Sequence, residues 1–80
     1  MAVVRIPTRL QHLSGGLAEV RVDADDVRGL IEALEQRFPA LGQPLREAAV
    51  AIDGEILNDP YLEAVATESE VDFLPRLSGG

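Results

Sequence analysis

The chain has 80 residues, seven basic against fourteen acidic side chains, a net charge of -7 and no cysteine. That length holds one small domain, and the missing cysteine excludes disulfides, thiolate metal sites and a cysteine nucleophile. The acidic balance argues against a phosphate-backbone partner and suits solubility and partners with basic patches. No apolar run nears the roughly 18 residues of a membrane span, and Arg5, Pro7 and Arg9 interrupt any signal-peptide core. A cytoplasmic protein, monomeric by itself, is expected.

The first stretch, Ala2–Pro7, alternates, with Val4 and Ile6 on one face and Val3 and Arg5 on the other. Leu17–Asp23 alternates too and groups Ala18, Val20 and Val22. Between them Ser14-Gly15-Gly16 reads as the turn closing a hairpin, its glycines supplying positive φ. Pro7 has no amide proton, so pairing should fray or bulge there. Val27, Leu30, Ile31, Leu34 and Phe38 then recur at helical spacing. Asp25 or Asp26 can cap that helix, Arg37 suits its last turn and Pro39 stops it. Gly29, costly inside a helix, would allow a close approach.

The segment Pro39–Glu47 reads as an irregular connection. Ala48–Leu57 holds two short strands around Asp53-Gly54, a two-residue hairpin signal. That turn sets Ile52 opposite Glu55, Ala51 opposite Ile56 and Val50 opposite Leu57. Val50, Ile52 and Leu57 then share one face, and Ala51 and Ile56 the other. Asn58–Ser69 reads as a loop with one helical turn. Glu70–Pro75 is a last strand, Val71 and Phe73 facing one way, Asp72 and Leu74 the other. The order β-β-α-β-β-β predicts a two-layer α+β domain in which one main helix covers one face of a sheet of four to five strands. On the uncovered face Ile56 and Leu74, with Ala51, would form an apolar docking patch.

No conventional catalytic constellation appears. His12, the only histidine, falls in the first turn and reads as a solvated side chain. Asp23–Asp26 invites a calcium reading, but counting from Asp23 the sixth and twelfth positions are Arg28 and Leu34 where an EF-hand needs glycine and glutamate; helix capping accounts for them better. Ser14-Gly15-Gly16 precedes a strand instead of a helix, unlike a phosphate loop. Tyr61 is expected to pack locally, and Glu63, Glu68 and Glu70 to be solvated loop charge. What remains is the end, Leu77-Ser78-Gly79-Gly80. Residues 1–76 read as the folded domain and 77–80 as a mobile, extended tail. Two glycines make it thin enough to thread a narrow channel, and no side chain shields the terminal carboxylate.

The stretch Glu70–Gly80, "EVDFLPRLSGG", resembles the C-terminal signature of the ubiquitin-like sulfur carriers. These include the molybdopterin synthase small subunit and the carriers of thiamine and cysteine biosynthesis; Arg5–Gly16, "RIPTRLQHLSGG", is similar to the last group. Length and element order match over the whole chain. Thr67–Val71, "TESEV", departs from the Asp-Gly-Asp turn frequent in the family. The resemblance implies the β-grasp fold with first and last strands parallel and central, and a carrier instead of a catalyst. It implies that a ubiquitin-activating-type partner, using ATP and Mg²⁺, adenylates the carboxylate of Gly80. A sulfurtransferase or other sulfur donor then displaces AMP, leaving a thiocarboxylate for a downstream synthase subunit. Gly79, Ser78 and Leu77 would thread the partner's channel, no cofactor would be bound permanently, and the patch of Ile56, Leu74 and Ala51 would meet the partner. All seven basic residues are arginine. Without lysine the chain cannot form isopeptide-linked chains of itself, which disfavours a polymer-forming modifier. A protein tag attached through Gly80 and a plain interaction domain are the alternatives. The acceptor of the sulfur, whether in molybdopterin, thiamine, cysteine or secondary-metabolite synthesis, stays open.

Overall fold

The two alternating stretches at the start form strands, β1 (Ala2–Arg5) and β2 (Glu19–Val22), paired antiparallel with Val4 level with Val20. The computed structural model describes residues 1–57 and 63–75. The connection between β1 and β2 is longer than a hairpin turn. Residues Thr8–Ser14 wind into a 3-10 helix, and Gly15 and Gly16, at φ 67° and 88°, end it and turn the chain into β2. The tetrapeptide Leu13–Gly16 thus works as a helix stop instead of a tight hairpin turn. Its serine is fully buried: Ser14 Oγ lies 2.8 Å from the Leu17 carbonyl and 3.0 Å from that of Gln11, either of which can accept its proton. β1 ends just before Pro7, as the missing amide requires, although Ile6 still donates to the Ala18 carbonyl.

Helix α1 (Val27–Arg37) follows the expected period, with Val27, Leu30, Ile31 and Leu34 buried. Asp26 is its N-cap, accepting from the Gly29 amide at 2.8 Å. A Cβ on Gly29 would lie 3.2 Å from that cap oxygen, so glycine lets the carboxylate sit over the first turn. Phe38 leaves the helix half-buried, its ring under the Arg37 guanidinium at 5.2 Å.

The stretch Pro39–Glu47 corrects the sequence reading. It is a 3-10 turn, Pro39–Leu41, running into a short helix, α2 (Gly42–Glu47). Leu41 and Leu45, four apart, enter the core completely. Pro44 is tolerated because first-turn amides have no helical acceptor. Glu35 of α1 crosses Gly42 to reach Arg46, which donates to both carboxylate oxygens at 2.6 and 3.1 Å. That guanidinium holds the Glu35 carboxyl below its ordinary range.

Asp53 and Gly54, at φ 50° and 87°, join β3 (Ala49–Ile52) to β4 (Glu55–Leu57) in the expected register, Ala51 facing Ile56. Asp53 also starts the last strand, β5 (Glu70–Leu74): its Oδ1 accepts from the Glu70 amide at 2.9 Å. Of the expected loop, residues 58–62 lie outside the described residues. Val65 in the remainder is buried, and Asp26 and Ala64 form an isolated bridge.

The sheet order is β2-β1-β5-β3-β4, with β1 and β5 parallel and the other neighbours antiparallel. One continuous core joins the inward faces of β1, β2, β3 and β5 to both helices. This is the ubiquitin-like β-grasp that the resemblance implies.

Candidate functional site

The helices cover one face of the sheet, so the strand phases decide what the other shows. Val50, Val71 and Phe73 point into the core, Phe73 only 2% exposed. Ala51, Ile56 and Leu74 therefore take the outer face. Ile56 is 65% exposed and Leu74 half-buried, whereas Ala51 is buried at 6% although it stands outside the core cluster.

The outer face modifies the expected patch. Leu74 is level with Ala49, and Ile56 with Ala51. Leu74 and Ile56 thus stand on opposite sides of β3 and two residues out of level. Strand spacing and rise put their Cα atoms about 12 Å apart. They are not a joined pair. By register, the small side chains of Ala49 and Ala51 stand between the larger ones of Leu74 and Ile56 on this face, a strip of low relief, or trough. Ala49 was missed from sequence because its phase follows only when the Asp53-Gly54 register is carried to the start of β3.

One bank of the trough is charged. Asp72 lies level with Ala51 on β5. Arg5 Nη2 donates to Glu70 Oε1 at 2.7 Å, and Arg5 Nη1 lies 3.8 Å from Asp72 Oδ1. Glu70 is therefore the first residue of a central strand with an ionic partner, not a solvated loop charge. The half of the face on β1, β2 and β5 carries charge, and the half on β3 and β4 is apolar. Glu63, Glu68 and His12 are exposed, as expected. Among the described residues no helix is long and apolar enough to cross a membrane.

β5 runs toward the C-terminus with Leu74 as its last residue, so the chain leaves the sheet beside the trough. Leu77, Ser78, Gly79 and Gly80, the residues singled out for threading and sulfur attachment, lie outside the described residues.

A family model, the ThiS family, matches residues 4–80, a span that includes Gly79 and Gly80. The chain belongs to the ThiS family. This is the ubiquitin-like sulfur-carrier family that the C-terminal motif resembles, and solved structures share its fold. A chain of the Amycolatopsis orientalis BexX/CysO complex superposes with a TM-score of 0.88 at 24% identity, all of both chains being covered. CysO of Mycobacterium tuberculosis gives 0.85 at 22% identity, covering 96% of this chain and 100% of that one. SAMP1 of Haloferax volcanii, a small archaeal modifier protein by name, gives 0.74 at 27% identity, covering 99% and 98%. No curated protein matches the sequence.

Proposed function

We propose that this ThiS-family protein is a sulfur carrier, activated at Gly80 by a ubiquitin-activating-type enzyme and itself a co-substrate instead of a catalyst. The observation that carries the proposal is a family match running through a Gly-Gly end that follows the central strand of a β-grasp sheet. A free carboxylate is a poor acyl donor because its oxygen is a poor leaving group. Attack of a Gly80 carboxylate oxygen on the α-phosphate of ATP, with loss of pyrophosphate, bonds that oxygen to phosphorus and makes it part of a good leaving group, AMP. Hydrosulfide released by the sulfur donor then adds at the carbonyl carbon, AMP departs with the former carboxylate oxygen, and loss of the sulfur's proton leaves a thiocarboxylate. The partner supplies ATP, Mg²⁺ and the electrostatic stabilisation of these steps; this chain supplies an end with no side chain to block them. Gly79, Ser78 and Leu77 thread the partner's channel, while Ile56, Leu74 and Ala51 rest on it. A structural relative seen in complex with another protein supports a partner-bound working state.

Intact-mass spectrometry tests this. With ATP, a sulfur donor and the cognate activating enzyme, one terminal oxygen is exchanged for sulfur, and the chain lacking Gly80 is unchanged. An unaltered full-length mass in that system would overturn the proposal. The likeness to SAMP1, named a modifier, favours a second reading, attachment of Gly80 to lysines of other proteins. Isopeptide-linked adducts in extract, with no free thiocarboxylate, would select it.

A further inference from the structure

Among the described residues, no strand pairs with the outer side of β2 or of β4, the two edge strands of the sheet. β4 is three residues long; β2, with Glu19–Val22, is the longer. The direction of its backbone groups follows from two hydrogen bonds. Ile6, level with Ala18, donates to the Ala18 carbonyl at 2.8 Å, and Val3 donates to Ser69 on the β5 side at 2.8 Å. In an antiparallel pair, residues alternate between those that exchange hydrogen bonds and those that do not. Ala18, Val20 and Val22 therefore direct their backbone groups at β1. Glu19 and Arg21 direct theirs away from the sheet, leaving two N–H and two C=O groups on the free edge.

The side chains of these same two residues are exposed on the outer face, and neither enters an ion pair among the described residues. Arg5, level with Glu19, is engaged by Glu70 and Asp72 instead. Among the described residues, the edge thus presents backbone groups without partners and one carboxylate and one guanidinium outside any ion pair, at i and i+2. An exposed edge of this kind is a template for another strand.

We infer that two copies of the chain pair through this edge, β2 against β2, antiparallel across a twofold axis at Val20. Three registers bring the free backbone groups into phase, with the axis at Glu19, Val20 or Arg21. An axis at Glu19 sets Glu19 against its own copy, and an axis at Arg21 sets Arg21 against its own. Like charges directly opposite are unfavourable. The axis at Val20 alone places each Glu19 opposite the Arg21 of the other copy. In that register the two residues exchange both backbone hydrogen bonds, twice over, and both side-chain pairs are of opposite charge. Val20 faces Val20 on the core side. Self-complementarity of this sort is what a twofold interface requires.

The pairing is short. A four-residue edge buries less than the roughly 1,200 Å² at the lower bound of stable complexes, so the dimer forms as concentration rises. The monomer expected from the sequence is its dilute state. The trough between Ile56 and Leu74 lies toward the far edge of each sheet, so both copies keep it open.

Sedimentation equilibrium on the full chain, taken up to about 1 mM to reach weak affinities, tests the pairing. Dimer content is expected to rise with concentration, with the amide resonances of Glu19 and Arg21 shifting most. Arg21→Glu and Glu19→Arg should each weaken association at least tenfold, and the double exchange, Glu19→Arg with Arg21→Glu, should restore it. Thermal melts on each variant would check that these exposed substitutions leave the fold intact. A monomer at every concentration, a dimer indifferent to the single reversals, a double exchange that fails to restore association, or a dimer abolished by Ile56→Asp would overturn the proposal.

Discussion

Glu68 holds φ at 73° in the turn that leads into β5, its amide donating to the Met1 carbonyl at 3.1 Å. This is the turn where the family often carries a glycine and this chain does not. A side chain in the left-handed region costs about 1–2 kcal/mol, while a glycine gives back about 0.5–1 kcal/mol through the freedom of its unfolded chain. Glu68→Gly should therefore stabilise the domain by up to about 1 kcal/mol, read as a higher Tm; a lower Tm would mean that the side chain is favourable there. The second residue-scale case is Glu35, whose carboxyl accepts two hydrogen bonds from Arg46 and is held below its ordinary value of 4.5. A depressed carboxyl binds fewer protons folded than unfolded, so its stabilisation is complete above 4.5 and disappears as pH falls through the lowered value. Glu35→Gln should flatten the acid limb of the Tm–pH curve and leave its neutral shape unchanged. The effect is small because both side chains are about a third exposed.

At the scale of the element, strand phase separates stability from binding. Phe73→Ala should cost about 3–5 kcal/mol, since the ring is buried in the core. Ile56→Asp should leave stability within about 0.5 kcal/mol of the parent, since that side chain is largely in water. It should nevertheless weaken binding to the proposed activating enzyme at least tenfold, because burying such a side chain against a partner is worth about 1.5–3 kcal/mol and about 1.4 kcal/mol is a factor of ten. Leu74 is half-buried, so Leu74→Asp should lower both stability and affinity. Thermal melts and titration calorimetry on the three variants check this. A Phe73→Ala protein as stable as the parent, or Ile56→Asp binding at full strength, would remove the trough as the docking surface.

Over the whole molecule, seven arginines against fourteen carboxylates leave a field that favours a partner with a basic surface. Its reach is a Debye length, about 10 Å at 0.1 M salt and about 3 Å at 1 M. Association with the proposed activating enzyme should therefore slow several-fold over that range, as stopped-flow mixing would show, while dissociation, if the apolar trough sets it, changes less. A salt-independent association rate would mean that the acidic surface serves solubility alone.

Much of this fold is legible in the sequence because its signals are local. Alternation in Ala2–Pro7 and Glu70–Leu74 assigns each side chain a face, the spacing from Val27 to Leu34 assigns a helix, and Asp53-Gly54 assigns a register. The Gly79-Gly80 end, on which the functional proposal rests, is a matter of sequence alone. What the alternation leaves open is which strands become neighbours. That β1 and β5 lie parallel at the centre, as the family resemblance implied, is a pairing of residues nearly 70 apart, settled by how the whole core closes. It puts Arg5 beside Glu70 and Asp72, Leu74 level with Ala49, and β2 on an open edge with Glu19 and Arg21 turned outward. Pro39–Glu47 reads as a loop because its prolines and glycine dominate the local signal. It becomes helical in the fold because burying Leu41 and Leu45 against α1 outweighs weak propensity, and that gain exists only once the tertiary neighbours are in place.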